Sequence, residues 1–494
     1  MRRARFAKDP LVDKSLRHSV RDGMAFSVAA GGGETYFSAF ALLLRATAPQ
    51  VALLVTLPPL IGSLAQLLSA WAGRYAGRRR LVLAGAGLQA LTWLPLIVLP
   101  YVLAEHAVAV LLVLFVLYHA GGNFAAPQWT SIMRDLVSDR RRGRYFGYRT
   151  RRTTIASFAA LLVCGLVLHI FDAYGATYAG YVVIFSIAFL ARSVSVYHIA
   201  RMHEPAAPPS TTLDVHISHW WQTVKDSGAA GFTAYFVLMN FAVGIASPFF
   251  AVYMLRDLEL SYLEFTALTG ASVFLQFLTL SGWGRISDVY GNRAILVVTS
   301  MALPIVPLLW LVSANFFYLL LVQCISGLTW AGFTLSSGNL LYDLVPRSRR
   351  AAYVAFHNVG NAGFVFIGAM LGAALAPTLP RIEPWLGGAI GPSNLLYLFA
   401  LSGIVRGALA LGFVRDIREL RKPRRAISAP ALVLRITGFT AMLGLIYDFI
   451  GRAPSAADPN GPGADSIEQD AAPRSDAAPA QTEPAKRPAR DAVR

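Results

Sequence analysis

The chain has 494 residues, 55% of them hydrophobic and only 14% charged. Soluble globular proteins carry about 25% charged residues, so a water-soluble molecule of this length would lack polar surface, and disorder of the whole chain is excluded as well. The 44 Lys and Arg outnumber 27 acids, for a net charge of +17; in a soluble protein that would point to nucleic acid, so the placement of the charges has to decide.

A hydrocarbon core ~30 Å thick needs about 20 apolar residues in a helix. The sequence offers twelve such stretches, at 24–44, 50–72, 81–100, 107–131, 153–171, 177–200, 229–254, 264–284, 294–313, 316–342, 352–376 and 395–414. They predict an all-α membrane protein with twelve transmembrane helices. The domain plan that follows is a cytoplasmic tail (1–22), a six-helix half (23–200), a central loop (201–228), a second half (229–415), a basic segment (416–451) and a tail (452–494). The charge-rich residues before the first span argue against a cleavable signal peptide. Counting Lys and Arg in the segments between spans puts 32 on one side and 3 (Arg45, Arg256 and Arg381) on the other. Cationic loops stay cytoplasmic, so both termini are expected there, and the basic balance becomes a topology signal, with no nucleic-acid partner.

Along the chain, span 1 carries Glu34 ten residues from either end, about 15 Å from each boundary. An ionisable group there costs at least ~2.5–3.5 kcal/mol and marks function by default. Desolvation disfavours a charged carboxylate, a condition that suits proton exchange. The preceding Gly31-Gly32-Gly33 lets backbone approach a ligand or another helix. Two readings stay open for Glu34: a proton or cation site, or a structural ion pair with a buried arginine such as Arg152. His119 and Asn123 share a face of span 4. Arg149, Arg151 and Arg152 open span 5. They read as an interfacial anchor, or, for Arg152, as the partner of an anionic substrate or of Glu34. Arg192 lies within span 6. In the central loop, His216 and His219 have metal-like spacing, but the adjacent Trp220-Trp221 reads better as an interfacial anchor. No metal site or cofactor is expected; the two cysteines, Cys164 and Cys324, both lie in apolar runs.

In the second half, Asn240 is central in span 7 and Gln276 in span 8. Gln323 and Trp330 share a face of span 10, and His357 and Asn361 share a face of span 11. Arg406 lies in span 12. Taken singly, the neutral groups read as interhelical hydrogen bonds worth about 0.6 kcal/mol; as a set, they are candidates for lining a substrate cavity. Residues 430–451 form an apolar stripe interrupted by Arg435 and Asp448, read as an interfacial or docking helix, and 452–494 have a disordered composition.

The chain also repeats itself. Pro95 and Pro304 are 209 residues apart, Asp135-Leu136-Val137 recurs 208 later as Asp343-Leu344-Val345, and Gly77/Gly291 and Arg192/Arg406 are each 214 apart. Six spans per half in a parallel repeat is the arrangement of a rocking transporter with its site between the halves. The 8–9 segment, Gly284-Arg285-Ile286-Ser287-Asp288-Val289-Tyr290-Gly291-Asn292-Arg293, resembles the G-x-x-x-D-x-x-G-x-R signature of the major facilitator superfamily. Asp135 to Gly143 (D-L-V-S-D-R-R-R-G) is similar to that family's acidic-then-Arg-Gly signature after its fourth helix, echoed by Asp343 to Arg350. The resemblance covers about residues 20–415. It implies two six-helix halves related by a pseudo-two-fold axis, a cavity lined by spans 1, 2, 4, 5, 7, 8, 10 and 11, and peripheral spans 6 and 12. That last point favours structural roles for Arg192 and Arg406. The 2–3 loop departs from the pattern: Arg74 stands where the first-half acid would be, or three residues including the acid are missing. The resemblance then implies that the gate latch rests on Asp288, with Gly284, Gly291 and Arg293 shaping its turn; a carboxylate there can sit against a helix N-terminus and release when the halves rock.

The expectation is a secondary active transporter of a small molecule, working by alternating access, proton-coupled through Glu34, with export favoured over import. No G-x-x-x-x-G-K-[ST] phosphate loop is present to signal an ATPase. It would work as a monomer among the lipids of a bacterial inner membrane and would not be an enzyme. The alternatives are a lipid-handling membrane protein and a non-transporting ligand receptor on the same scaffold.

Overall fold

A computed structural model describes residues 6–73, 75–102, 106–205, 230–345, 350–381 and 393–413. Arg74, the central-loop residues His216, His219, Trp220 and Trp221, the stripe 430–451 and the tail 452–494 lie outside the described residues. The first half comprises α1 (Pro10–Gly32), α2 (Phe37–Leu43), α3 (Ala48–Ala72), α4 (Arg78–Val102), α5 (Ala107–Leu136), α6 (Asp139–Ala173) and α7 (Thr177–Ala200). The second comprises α8 (Ala230–Ala246), α9 (Phe249–Val252), α10 (Tyr262–Tyr290), α11 (Asn292–Ala302), α12 (Ile305–Leu309), α13 (Phe316–Leu344), α14 (Arg350–Leu375) and α15 (Leu395–Phe413). Among the described residues, 11 helical segments are long and apolar enough to cross a membrane, and every span expected from 50–72 onward is matched by one of them.

The first crossing differs from its expectation. Helix α1 starts at Pro10, so much of the stretch read as a tail is helical. Asp9 accepts from Leu11 N at 2.8 Å and Pro10 occupies the first turn, a strong start signal that the polar sequence obscured. Its polar face is then buried inside the first half, with Asp13 accepting from the Phe6 and Ala7 amides at 2.6 and 3.3 Å. The crossing is also not one helix: α1 stops at Gly32, a 3-10 turn covers Glu34–Tyr36, and α2 resumes at Phe37. Three consecutive glycines weaken the helix there. The break repeats in the second half, where α8 ends at Ala246 and Pro248 precedes α9. Glu34 and Pro248 are 214 residues apart, the same spacing as Gly77 and Gly291. The carboxylate thus sits at a break that the other half makes with proline.

The halves share a core at only one end of the bundle. The Arg-rich segments define a basic end. At the opposite, far end, one apolar cluster joins Tyr36, Phe37 and Phe185 of the first half to Phe249, Tyr253, Phe265 and Trp310 of the second. Toward the basic end each half has its own cluster, one around Leu16, Val82, Met133 and Tyr145, the other around Tyr235, Leu296, Phe333 and Tyr353. The antiparallel helices α6 and α10 show the same divergence. Phe158 and Phe274 pack with ring centroids 5.6 Å apart, whereas side-chain space at Gly143, Gly147 and Gly284 is open among the described residues.

The glycine run proves to be a helix contact. A Cβ on Gly31 would lie 2.2 Å from the Ser157 carbonyl oxygen, a backbone atom that cannot turn aside. Gly31→Val is therefore expected to pry α1 from α6 and to collapse the yield of monodisperse protein in size-exclusion chromatography; a wild-type profile would contradict this packing.

Candidate functional site

The 3-10 turn presents Glu34 to a cavity of about 410 Å³ lined by α1, α2, α3, α5 and α6. Tyr118 Oη donates to Glu34 Oε2 at 3.2 Å, and His119 Nε2 lies 3.6 Å from Glu34 Oε1. Both partners come from adjacent positions on α5, an arrangement possible because the turn brings the carboxylate against that helix. Phe37, Phe115, Val55 and Pro59 form the apolar wall, with Thr35, Ser38 and Ser157 as small hydroxyl groups. The ring of Phe115 meets His119 edge-on at 4.6 Å and Phe37 at 4.2 Å. Among the described residues Lys and Arg are absent from this lining, and Glu34 is its one carboxylate.

Of the sequence candidates, the structure brings Glu34 and His119 together and leaves Arg152 apart. Arg152 is exposed and lies over the Tyr148 ring at 5.2 Å. Among the described residues no ion pair joins Arg152 to Glu34, whose carboxylate is met instead by Tyr118 and His119. Asn123 and Asn240 turn their amides back to carbonyls four residues earlier, His119 at 3.0 Å and Phe236 at 2.8 Å. Gln276 and Gln323 are half-buried, and Trp330 meets Phe333 edge-on at 5.8 Å. His357 is buried among Phe232, Phe236 and Tyr353. Its Nδ1 and Asn361 Oδ1 are buried without a hydrogen-bond partner among the described residues. None of these second-half groups is among the described residues that line the Glu34 cavity.

Arg192 and Arg406 each engage their own half. Arg192 donates to Ser195 Oγ at 2.5 Å and Gln89 Oε1 at 2.6 Å, and Ser195 donates to the buried Asp22 at 2.6 Å. The Arg192 guanidinium also lies 4.7 Å from the Phe26 ring centroid. Arg406 donates to the Leu303 carbonyl at 3.4 Å. In a continuous helix that carbonyl would pair with the amide of residue 307, which is a proline here and has no N–H to give.

At the basic end, Asp288 is exposed. Gly284 and Arg293 are partly exposed, and Gly291 links α10 to α11 at φ 85°, a backbone conformation that favours glycine. Beside this turn, Ser287 Oγ donates to Asn292 Oδ1 at 2.6 Å, and Asn292 Nδ2 reaches Asp343 at 3.4 Å. The first half repeats the link with a charge: Arg78 pairs with Asp135 at 2.6 Å, and it donates to the Pro205 carbonyl at 2.8 Å. Arg78 and Asn292 are 214 residues apart, so the repeat extends to the contact itself. Sequence reading found both acids and missed both partners, although each directly follows the repeated glycine.

Near the same end, His18 and His198 face each other, Nδ1 to Nδ1 at 2.9 Å. His18 lies 16 residues before Glu34, about 24 Å along the helix and beyond half of a ~30 Å core. Burial, followed by the positive field of His198, Arg21, Lys14 and Arg201, holds its pKa below the ordinary histidine value. The folded state then binds fewer protons than the unfolded chain as pH falls below about 6.5, so stability drops in that window. Thermal unfolding in detergent is expected to show this acid loss, and His18→Phe to flatten it; an unchanged slope would remove the pair as its cause.

Comparisons with known proteins agree with this architecture. A family model described as Major Facilitator Superfamily matches residues 23–236 and again 231–453. The chain is similar to the quinolone resistance protein NorA of Staphylococcus aureus, 26% identical over 164 residues, covering 32% of this chain and 42% of NorA. It thus spans less than half the length of that relative. Among solved structures it is similar to the nucleoside transporter NupG, with a TM-score of 0.62, 12% identity, and coverage of 82% of this chain and 98% of NupG. It is also similar to a D-xylose-proton symporter, with a TM-score of 0.61, 13% identity, and coverage of 84% and 100%. Twelve crossings in two repeated halves and a family match over both halves lead to one conclusion: the chain belongs to the major facilitator superfamily.

Proposed function

We propose that this transporter is a proton-coupled exporter in which Glu34 carries the proton. The observation that carries the reading is a lone carboxylate at the break of the first crossing, hydrogen-bonded by Tyr118 and open to a cavity with no cation of its own. With its basic end in the cytoplasm, as the loop charges favour, the structure corresponds to an inward-open state. A substrate in the cavity meets aromatic and aliphatic walls and one negative charge. That environment suits an organic cation with an apolar body, held by Glu34 against the aromatic and aliphatic lining. Proton and cation then compete for one carboxylate, which is the requirement for exchange. The relative named for quinolone resistance supports the outward direction and leaves the choice of an organic cation to rest on the cavity.

The test is flux of a panel of lipophilic amines, neutral sugars and carboxylates in proteoliposomes, with and without a pH gradient. Gradient-driven movement of the amines alone is expected. Transport of carboxylates, or amine flux that ignores the gradient, would overturn the reading.

A further inference from the structure

The turn that carries Glu34 also carries Tyr36, and the two side chains reach opposite partners. Tyr36 is fully buried. Its hydroxyl lies 2.6 Å from the Leu161 carbonyl of α6 and 2.9 Å from Thr266 Oγ1 of α10, which in turn lies 2.6 Å from the Tyr262 carbonyl of its own helix; two hydroxyl protons serve these three contacts, so the bond between the hydroxyls forms when one of them gives up its carbonyl. This is a hydrogen bond between the halves, within the core that they share at the far end. Phe265 packs beside it, 6.3 Å from the Tyr36 ring, and Tyr181 of the first half meets Tyr262 of the second edge-on at 6.0 Å. The junction depends on Gly165, where a Cβ would lie 2.2 Å from Thr266 Oγ1 and 2.6 Å from Tyr36 Oη. Only a residue without a side chain lets α6, α10 and the turn meet at that point.

We propose that the 34–36 turn is a lever joining the charge state of Glu34 to the far-end seal between the halves, with Tyr36 as its positioning residue. The proposal rests on Glu34 being the proton carrier. Ionised Glu34 accepts from Tyr118 of α5 at 3.2 Å, with His119 Nε2 3.6 Å away on the same helix. Hydrogen bonds to a charged acceptor are about twice as strong as neutral ones, so the ionised turn is held against α5 and Tyr36 is held in the seal. A proton on Glu34 weakens that hold, the turn can rotate, and the Tyr36–Thr266 contact loosens. The empty, ionised carrier is thereby kept sealed at the far end, which prevents a futile return without substrate or proton.

The groups that face this turn are few. Helix α5 presents Tyr118 and His119, and α6 presents Ser157 and Cys164. Arg192 of α7 acts on Tyr118 through its field. Helix α3 presents Val55 and Pro59, α4 presents Trp93 against Gly33, and α10 presents Thr266. His119 is the second group able to titrate, so it needs its own control.

The experiment uses full-length protein in lipid nanodiscs, with both native cysteines replaced by alanine. Spin labels are placed at Tyr174→Cys and Phe317→Cys, exposed far-end positions in different halves, and their separation is measured by pulsed electron resonance from about pH 8 to about pH 5. The fraction with a long separation is expected to rise on acidification. Glu34→Gln should hold it at the acidic level at every pH. Tyr36→Phe and Thr266→Val should each raise the open fraction at high pH by about threefold, the worth of an average hydrogen bond inside a membrane, and flatten the pH profile; the double variant should do no more than either alone. If both keep the parental profile while Glu34→Gln abolishes it, the lever is wrong and the proton assignment stands. If Glu34→Gln keeps the profile, or His119→Gln removes it, the proton assignment fails and takes the lever with it. Should Tyr36→Phe not fold, Thr266→Val carries the same decision, because besides the bond between the halves it removes just a contact to the Tyr262 carbonyl within its own helix.

Discussion

Glu34→Gln should reduce pH-gradient-driven transport to background while leaving substrate-free protein as stable as the parent. Glutamine matches the shape of the protonated acid and can still accept from Tyr118, so packing in the turn is preserved. What it lacks is an ionisable group, and the lining of the cavity supplies no other carboxylate. Glu34→Asp, one methylene shorter, should retain reduced transport because the charge is kept but withdrawn from Tyr118. The measurement is proton movement and substrate flux in the same proteoliposomes. Full coupled flux in Glu34→Gln would end the assignment; loss of folded protein would instead make the Glu34–Tyr118 contact a structural one.

The second large effect falls on stability. Arg192→Leu removes the group that binds Ser195 and Gln89 and sits nearest the buried Asp22 cluster. Among the described residues Asp22 would keep Ser195, a distant Arg149 at 3.8 Å and the neighbouring His198. Breaking a buried charged network on one side costs about 3–5 kcal/mol because the remaining charge is left uncompensated. The expected result is a sharp fall in the thermal midpoint in detergent. Combining Arg192→Leu with Asp22→Asn should recover much of it, since the orphaned charge is then gone. If the double variant is no more stable than the single one, the loss comes from packing against Phe26 rather than from charge.

The architecture was legible because its signals are long-range and repetitive: apolar runs of bilayer length, a one-sided distribution of cations and a repeat of 208–214 residues. That Glu34 falls inside the first apolar stretch was legible for the same reason. Its surroundings were not. Tyr118 sits beside His119 in an ordinary apolar run, and nothing local says which of the two hydroxyl or imidazole groups will face a carboxylate 84 residues away. The 3-10 turn was hidden because a glycine run is compatible with a helix that packs closely as well as with one that stops. The helical character of residues 10–22 was obscured by their charges, which span prediction counts against a crossing although this face is buried within the protein. Arg152 and Glu34 were matched by charge alone, and helix geometry separates them.

The repeat also conceals a difference in stiffness. Helix α4 runs through Pro95 as one rod of 25 residues, about 37 Å long, whereas its counterpart is two short rods, α11 and α12, jointed at Leu303–Pro304 and pinned at the joint by Arg406. Two halves with the same blueprint therefore bend unequally. The third crossing of the second half thus carries a joint that its first-half counterpart lacks, and the two-fold plan is not matched by two-fold regularity.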